Sequence, residues 1–382
     1  MPVPPPLLVV GFVVAWVGHA CVWTAGLNYV YGCRLPKRVL KPWRHVTGAV
    51  ILAYPLLWAT GLENGGPWGR VVFAYLAVCL VFGAVIFPAI TLYRRRRKPP
   101  AALVAERGET FDVRAELGDA VVGTGKWAWA GRLPLNDIYR VEFTELTLAV
   151  PHLPPAWAGL TVLLLSDLHF HGTPGRAFFD RVFDRLAAAP RPDLICLAGD
   201  YLDTDAHHAW IGPLLGRLTA THGKFAVLGN HDDHHDPHRV RSELAAAGYT
   251  VVGNGWAEAT VRGEPCVVVG HEGPWFGPPP DLSAARAGPF RLCLSHTPDN
   301  VYWGRRNGVG LMLSGHVHGG QIRVPVVGPI FIPSVYGRRF DAGVFQVGDT
   351  VLVVGRGLSG KEPLRFRCLP QVIRLTLTKA RG

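Results

Sequence analysis

Three runs without a charged residue, Leu7–Val30, Val46–Leu62 and Val71–Tyr93, take up most of the first hundred positions. The first and third are long enough to cross a hydrocarbon layer as helices, which takes about 20 residues. In that medium each unpaired backbone N–H or C=O costs several kcal/mol, so a run of this kind must be helical. The middle run has 17 residues with Pro55 near its centre, and reads as a weaker span or a re-entrant piece. A cleaved signal peptide is disfavoured, because no positive charge precedes Leu7. Helices in the core of a soluble domain fit less well, since charge clusters flank the runs. The expectation is an N-terminal bundle of about three transmembrane helices within residues 1–98.

The formal net charge of +11 raises the question of a nucleic-acid partner. Residues 1–100 hold eleven Lys and Arg against a single acid, Glu63, leaving 28 basic and 27 acidic residues for the rest. The basicity therefore belongs to the apolar region, and a nucleic-acid surface loses its main support. Arg34, Lys37, Arg38, Lys41 and Arg44 lie between the first two runs, and Arg94–Lys98 closes the third. Positive-inside logic places both clusters in the cytoplasm. Three spans with an outside N-terminus satisfy this, and the C-terminal region is then cytoplasmic. The seven cysteines show no CxxC spacing, so neither a disulfide framework nor a zinc knuckle is indicated.

Residues 99–143 read as a linker with short strands. From 144 to 382 short apolar runs alternate with helical ones. "LTVLLLSD" is a buried-strand run, and "RAFFDRVFDRLAAA" sets Phe178, Phe179, Val182, Phe183 and Leu186 on one helical face. Strands follow at "DLICLAG" and "KFAVLG", with a helix expected around 206–220 between them. A further helix starts near Pro237, and the remainder is mostly strands. This order predicts an α/β fold built on a two-sheet sandwich.

Polar residues recur where these strands end. "SDLH" carries Asp167 and His169, "GDYLD" Asp200 and Asp203, and "GNHDD" Asn230, His231 and Asp232. "LSHTPD" carries His296, and "SGHVHGG" carries His316 and His318. Ligands of α/β sheets gather at strand carboxyl ends, so these five termini should converge. Carboxylates, imidazoles and one amide, without a thiolate, suit Mn, Fe, Zn, Co or Ni. The donors are too many for one ion and about right for two. Taken singly, each His reads as an ordinary core or surface residue; five such clusters at strand ends do not.

The order D-x-H, G-D, G-N-H-D, H and G-H-x-H resembles the calcineurin-like metallophosphoesterase superfamily. "GGQIRVPVVGPIFIPSVYGRRFDAGVF" and "GRGLSGKEPLRFRC" look like its membrane-associated branch. The resemblance covers roughly 144–378 and implies an α/β/β/α sandwich with two divalent metal ions (Mn, Fe or Zn). Asp167, His169 and His318 would hold one ion, Asn230, His296 and His316 the other, and Asp200 would bridge them. His231 would face the phosphate uncoordinated, with Asp232 orienting it, and water acidified between the ions would attack. In an extended His316-Val317-His318, alternate side chains would lean the same way.

Other residues carry weaker signals. Asp203 reads as a support for the ligands or, slightly better, as a cap on the next helix. His234, His235 and His238 read as a solvated loop. His271, Trp275 and Phe276 in "GHEGPWFGPPPD" could wall a lipid-like substrate or pack on the sandwich. The resemblance implies a membrane-anchored hydrolase of a phosphodiester or pyrophosphate, with a phosphorylated, lipid-linked substrate. UDP-2,3-diacylglucosamine, cleaved to lipid X and UMP in lipid A synthesis, is the leading candidate. The alternatives are a phosphodiesterase for cyclic nucleotides or glycerophosphodiesters, and a non-catalytic membrane sensor with the same fold. A transport path through the apolar runs is disfavoured, because His19 is their lone ionisable residue.

Overall fold

A computed structural model describes residues 6–63 and 66–380, which divide into two compact units. The first comprises the N-terminal helices together with Pro325–Gly337; the second holds Pro99–Val324 and Arg338 onward.

In the first unit, α1 (Pro6–Gly32) is followed by α2 (Lys37–Leu52), α3 (Tyr54–Glu63), α4 (Pro67–Val81) and α5 (Phe87–Arg96). Five residues in π geometry, Phe82–Ile86, join α4 to α5. Pro88 has no N–H, and its ring would clash with the Ala84 carbonyl in a regular helix; the wider turn relieves both. Two continuous helical stretches, Pro6–Gly32 and Pro67–Arg96, are long and apolar enough to cross a membrane. The expected middle span is not a third such helix. It breaks at Ala53, two residues before Pro55, and divides between α2 and α3. Gly18 and Gly83 let α1 and the π turn touch: a Cβ on Gly18 would lie 1.7 Å from the Cys79 carbonyl oxygen. His19 is satisfied there by the Tyr75 hydroxyl at 2.6 Å and the Val50 carbonyl at 3.0 Å.

In the second unit the strands, in chain order, are β1 (Leu103–Asp112), β2 (Arg140–Val150), β3 (Leu160–Leu165), β4 (Leu194–Ala198) and β5 (Gly223–Val227). They continue with β6 (Thr250–Val251), β7 (Gly255–Val261), β8 (Glu264–His271), β9 (Phe290–Ser295) and β10 (Leu311–Ser314). The last are β11 (Gly343–Val347), β12 (Thr350–Val354) and β13 (Gln371–Lys379). One sheet runs β1-β2-β13-β3-β4-β5-β6 and the other β11-β12-β10-β9-β8-β7. Residues 99–143 therefore are not a linker: β1 pairs antiparallel with β2 from Leu103 to Asp112 and extends the first sheet.

Strands β3 to β6 are mutually parallel, as are β8, β9, β10 and β12. Burial on both faces explains why their sequences are continuously apolar rather than alternating. Val162, Leu164, Cys196 and Val227 meet Val268, Leu292, Leu294 and Leu313 between the sheets. Leu163, Leu165, Ile195 and Leu197 face outward under α6 (Arg176–Ala188) and α7 (Pro237–Ala246). Asp236 caps α7 by accepting the Arg239 N–H at 3.1 Å, with Pro237 in the first turn. The helix expected around 206–220 is a 3₁₀ turn, Asp205–Trp210, and a five-residue helix, Ile211–Leu215, with Gly212 and Pro213 inside it and Gly216 capping its end.

Candidate metal centre

The parallel strands aim their carboxyl ends the same way, so the turns after β3, β4, β5, β9 and β10 meet. Asp167, His169, Asp200, His316 and His318 all have positive φ, between 45° and 71°. Left-handed backbone at non-glycine residues costs energy, and concentrating it at one place marks a functional site. It also corrects the expected extended His316-Val317-His318: both histidines are left-handed, with Val317 in right-handed helical geometry between them. The turn, rather than a pleat, brings both rings inward. Glycines make room for the carboxylates. A Cβ on Gly315 would lie 2.4 Å from Asp167 Oδ2, and one on Gly229 2.2 Å from Asp200 Oδ1.

Three groups of donor atoms result: two share Asp200, and the third is His169, Asp203 and His231. Asp167, His169, Asp200 and His318 bring their ligand atoms within 4.8 Å of one another, and so do Asp200, His296 and His316. Asp200 belongs to both. Its Oδ2 lies 3.5 Å from His169 Nε2 and 3.3 Å from His296 Nε2. Asn230 Oδ1 is 3.0 Å from His296 Nε2, on the side of the second group. In the first group two imidazole nitrogens, His169 Nε2 and His318 Nε2, face each other at 3.2 Å. Lone pairs pointing at one small space among buried carboxylates fit a cation better than they fit each other. The Asp and His cluster is suited to divalent metal ions.

The backbone holds the acids in place. His316 N–H donates to Asp167 Oδ1 at 2.9 Å, and His231 N–H to Asp200 Oδ1 at 2.8 Å. The Ala198 carbonyl lies 2.7 Å from His296 Nδ1, which fixes that nitrogen as the donor and leaves Nε2 for a ligand.

The electrostatics follow from burial and crowding. Burial works against the His169 imidazolium, but Asp203, Asp200 and Asp167 lift its pKa to about 9. His296 is likewise raised to about 9, by Asp200 and Asp167 against the effect of burial. Burial would raise Asp200, yet the imidazoles of His296, His231 and His169 hold it well below the usual carboxylate range. His318 is lowered by burial and by the charges of His169 and Arg365. Without a cation, protons on His169 and His296 are what balance the acids. Metal binding has to displace them.

His231 lies outside the two groups that share Asp200, its ring 4.6 Å from that of His169. Asp232, expected to orient it, does something else. The Asp232 carboxylate is buried and accepts the N–H groups of Gly229 (2.8 Å), Asp200 (2.9 Å) and Tyr201 (2.8 Å), tying the turn after β4 to the turn after β5. Burial first, then the Asp200 charge, raises its pKa to about 7. The carboxylate on His231 Nδ1 belongs to Asp203, whose other oxygen lies 3.0 Å from His169 Nδ1. Asp203 therefore is not a helix cap; Thr204 precedes the next turn. Its position three residues after Asp200 was the signal, but that spacing suits a cap equally well.

Trp275, one of the residues expected to wall a substrate or pack on the sandwich, stands beside the histidines of the centre. Its ring lies 4.8 Å from His316 and 5.5 Å from His296. Phe276 instead packs on the helix-side core, under the Arg241 guanidinium. His235 pairs with Asp205 at 2.8 Å, away from the donor groups.

A two-sheet sandwich whose parallel strands end in a buried Asp and His cluster defines a class of metal-dependent hydrolases. The profile of the calcineurin-like phosphoesterases matches residues 160–320. YkuE of Bacillus subtilis (strain 168), an uncharacterized metallophosphoesterase, is 33% identical over 68% of this chain and 92% of its own length. The phosphodiesterase YaeI of Escherichia coli (strain K12) is 36% identical over 58% of this chain and 83% of its own. UDP-2,3-diacylglucosamine pyrophosphatase LpxG of Chlamydia muridarum is 22% identical over 64% and 91%. A transmembrane protein with metallophosphoesterase domain from Bos taurus is 26% identical over 64% and 59%. The chain belongs to the calcineurin-like phosphoesterase family, and it is a hydrolase. Two of its helices are long and apolar enough to cross a membrane, and the Bos taurus relative is named as a transmembrane protein.

Proposed function

We propose that the chain hydrolyses a phosphodiester or pyrophosphate bond in a lipid-linked substrate, using two divalent ions, at the cytoplasmic face of a membrane. The observation that carries this reading is Asp200 Oδ2, placed almost equally from the Nε2 atoms of His169 and His296. One carboxylate can thus serve two ions. Asp167, His169 and His318 would hold the first, and Asn230, His296 and His316 the second, with nitrogen and oxygen donors that suit Mn, Fe or Zn. Bound there, the ions supply positive charge for a phosphoryl group and an acidified water for in-line attack.

The chain's own residues do the rest. Asp203 accepts the Nδ1 proton of His231 and so stabilises the doubly protonated ring, whose other N–H would then donate to the phosphate or its leaving oxygen. Trp275 covers the His296 and His316 side and keeps water from it.

For the substrate, UDP-2,3-diacylglucosamine cleaved at its pyrophosphate in lipid A synthesis is supported by the name of the Chlamydia relative and by the membrane helices. A cyclic nucleotide or glycerophosphodiester is the second reading, favoured by the higher identity to a phosphodiesterase. Purified full-length chain with Mn²⁺ should release UMP from the acylated UDP-sugar faster than it cleaves either diester. Strong diester turnover without UMP release moves the assignment to the second reading.

The cytoplasmic orientation rests on charge. Arg34–Arg44 and Arg94–Lys98 share one side only if the chain crosses between α1 and α4, through the apolar end of α2 and α3. A reporter fused after Gly382 should then be active in the cytoplasm, and periplasmic activity would reverse the orientation.

A further inference from the structure

An asparagine near the end of a membrane-length apolar helix is costly unless its amide is satisfied. Asn28 of α1 is buried, and its partners are not helical neighbours. Its Oδ1 accepts the Ile332 N–H at 3.0 Å, and its Nδ2 donates to the Ile330 carbonyl at 3.2 Å. The amide reads two backbone groups of an irregular strap, Pro325–Gly337, as another strand would. One turn further on, Gly32 is pressed against the same strap: a Cβ there would lie 2.4 Å from Val335 N and 2.6 Å from Ser334 C. The Phe331 ring meets Tyr31 edge-on at 5.3 Å. More than 290 positions separate these partners in the chain, yet the strap packs with the helices as one compact unit.

The strap has two faces. Pro329, Ile332 and Ser334 point inward and are buried. Val326, Ile330, Phe331 and Tyr336 point outward, with Val326 64% exposed. Apolar and aromatic side chains set at the end of a membrane-length helix occupy the level where such groups enter lipid. The segment after α1 adds Arg34, Lys37, Arg38 and Lys41, cations that complement anionic headgroups.

From these observations we infer that the Pro325–Gly337 strap is a lipid-contacting element of the bilayer interface, latched to α1 by the Asn28 amide and the bare Gly32. Its occupant is the headgroup and upper acyl region of an anionic bilayer. The inference rests on α1 lying in a membrane and is independent of the substrate. His318 and Pro325 are seven positions apart, so the strap is tethered to the loop that carries the metal-centre histidines.

The test uses the full chain in vesicles of phosphatidylcholine with phosphatidylglycerol. An environment-sensitive fluorescent amino acid replaces Val326, and quenching by lipids brominated near the headgroup end of the acyl chain is recorded. Strong quenching is expected, weakening in phosphatidylcholine alone. Asn28→Leu strands the Ile332 N–H and Ile330 carbonyl, and Gly32→Val forces the backbone contact apart. Either should lose most of the quenching and shift the emission to the red. Hydrolysis of bis-p-nitrophenyl phosphate by the same variants reports that the catalytic unit is folded. Emission from the otherwise unaltered chain that is already water-like, or quenching unchanged in both latch variants, overturns the inference whatever the turnover. Failure of the hydrolysis assay with strong, latch-dependent quenching would count against the proposed activity and leave the strap standing.

Discussion

Replacing Asp203 by Asn tests the centre most sharply, because the two oxygens of that carboxylate serve two different imidazoles. Each accepts from one Nδ1, His169 on one side and His231 on the other. An amide of the same shape has one acceptor and one donor. One of the two rings must then meet an N–H with its own N–H, and turn over or change tautomer. If His169 changes, its Nε2 lone pair is lost to a metal; loss of such a supporting partner typically costs about 10–100-fold in affinity, or about 1.4–2.7 kcal/mol. If His231 changes, the proton donor is misplaced, at about 10²–10⁴-fold in rate. The expected result on bis-p-nitrophenyl phosphate is therefore a loss in kcat that saturating Mn²⁺ does not restore, together with weaker Mn²⁺ binding by calorimetry. Adding Asp203→Asn to His231→Asn should cost little further kcat at saturating metal, because the carboxylate acts through that ring. Normal kcat and normal metal affinity with a lower Tm would mean that Asp203 is only a local structural residue, and the reasoning would be refuted.

Asp200→Asn should remove most activity and weaken metal binding at both groups, whereas His231→Asn should keep the metal content and lose about 10²–10⁴-fold in rate; equal metal loss in both would undo the assigned roles. The aromatic pair in the 271–281 loop should separate. Trp275→Ser, next to His296 and His316, should impair acylated and small substrates alike and weaken metal binding, while Phe276→Ser should lower stability by about 1–3 kcal/mol with metal affinity intact. A selective loss on acylated substrate would restore the lipid-wall reading for Trp275. Burial pushes His271 down to about 4, so below about pH 6.5 the unfolded chain takes up a proton that the folded one refuses. Stability from this ring is full above about 6.5 and is lost as pH falls towards about 4, up to about 3 kcal/mol, so His271→Phe should show a smaller drop in Tm between pH 7 and 4.5. An equal drop in both proteins would contradict it.

The sequence by itself determined which strands end in chemistry. Five clusters of Asp, Asn and His after runs such as "LTVLLL" and "DLICLA" are too many for ordinary core residues, and parallel strands must deliver them to one edge. It also determined the α6 face, because a 3.6-residue period of Phe, Val and Leu leaves one way to bury them. The tertiary structure decided what depends on contacts between distant positions. Asp203 and His231 are 28 residues apart, and no local pattern says which of Asp203 and Asp232 reaches the ring. The left-handed turns at His316 and His318 are paid for by the surrounding packing rather than by propensity, so an extended reading of that segment fails. The linker reading of 99–143 failed for a related reason, since strand pairing with β2 rescues a mostly exposed stretch that shows little apolar alternation of its own. Nothing near Asn28 or Ile332 announces the other across some 300 positions: a hydrogen bond is recognised by distance in space, and sequence spacing carries that distance only within an element.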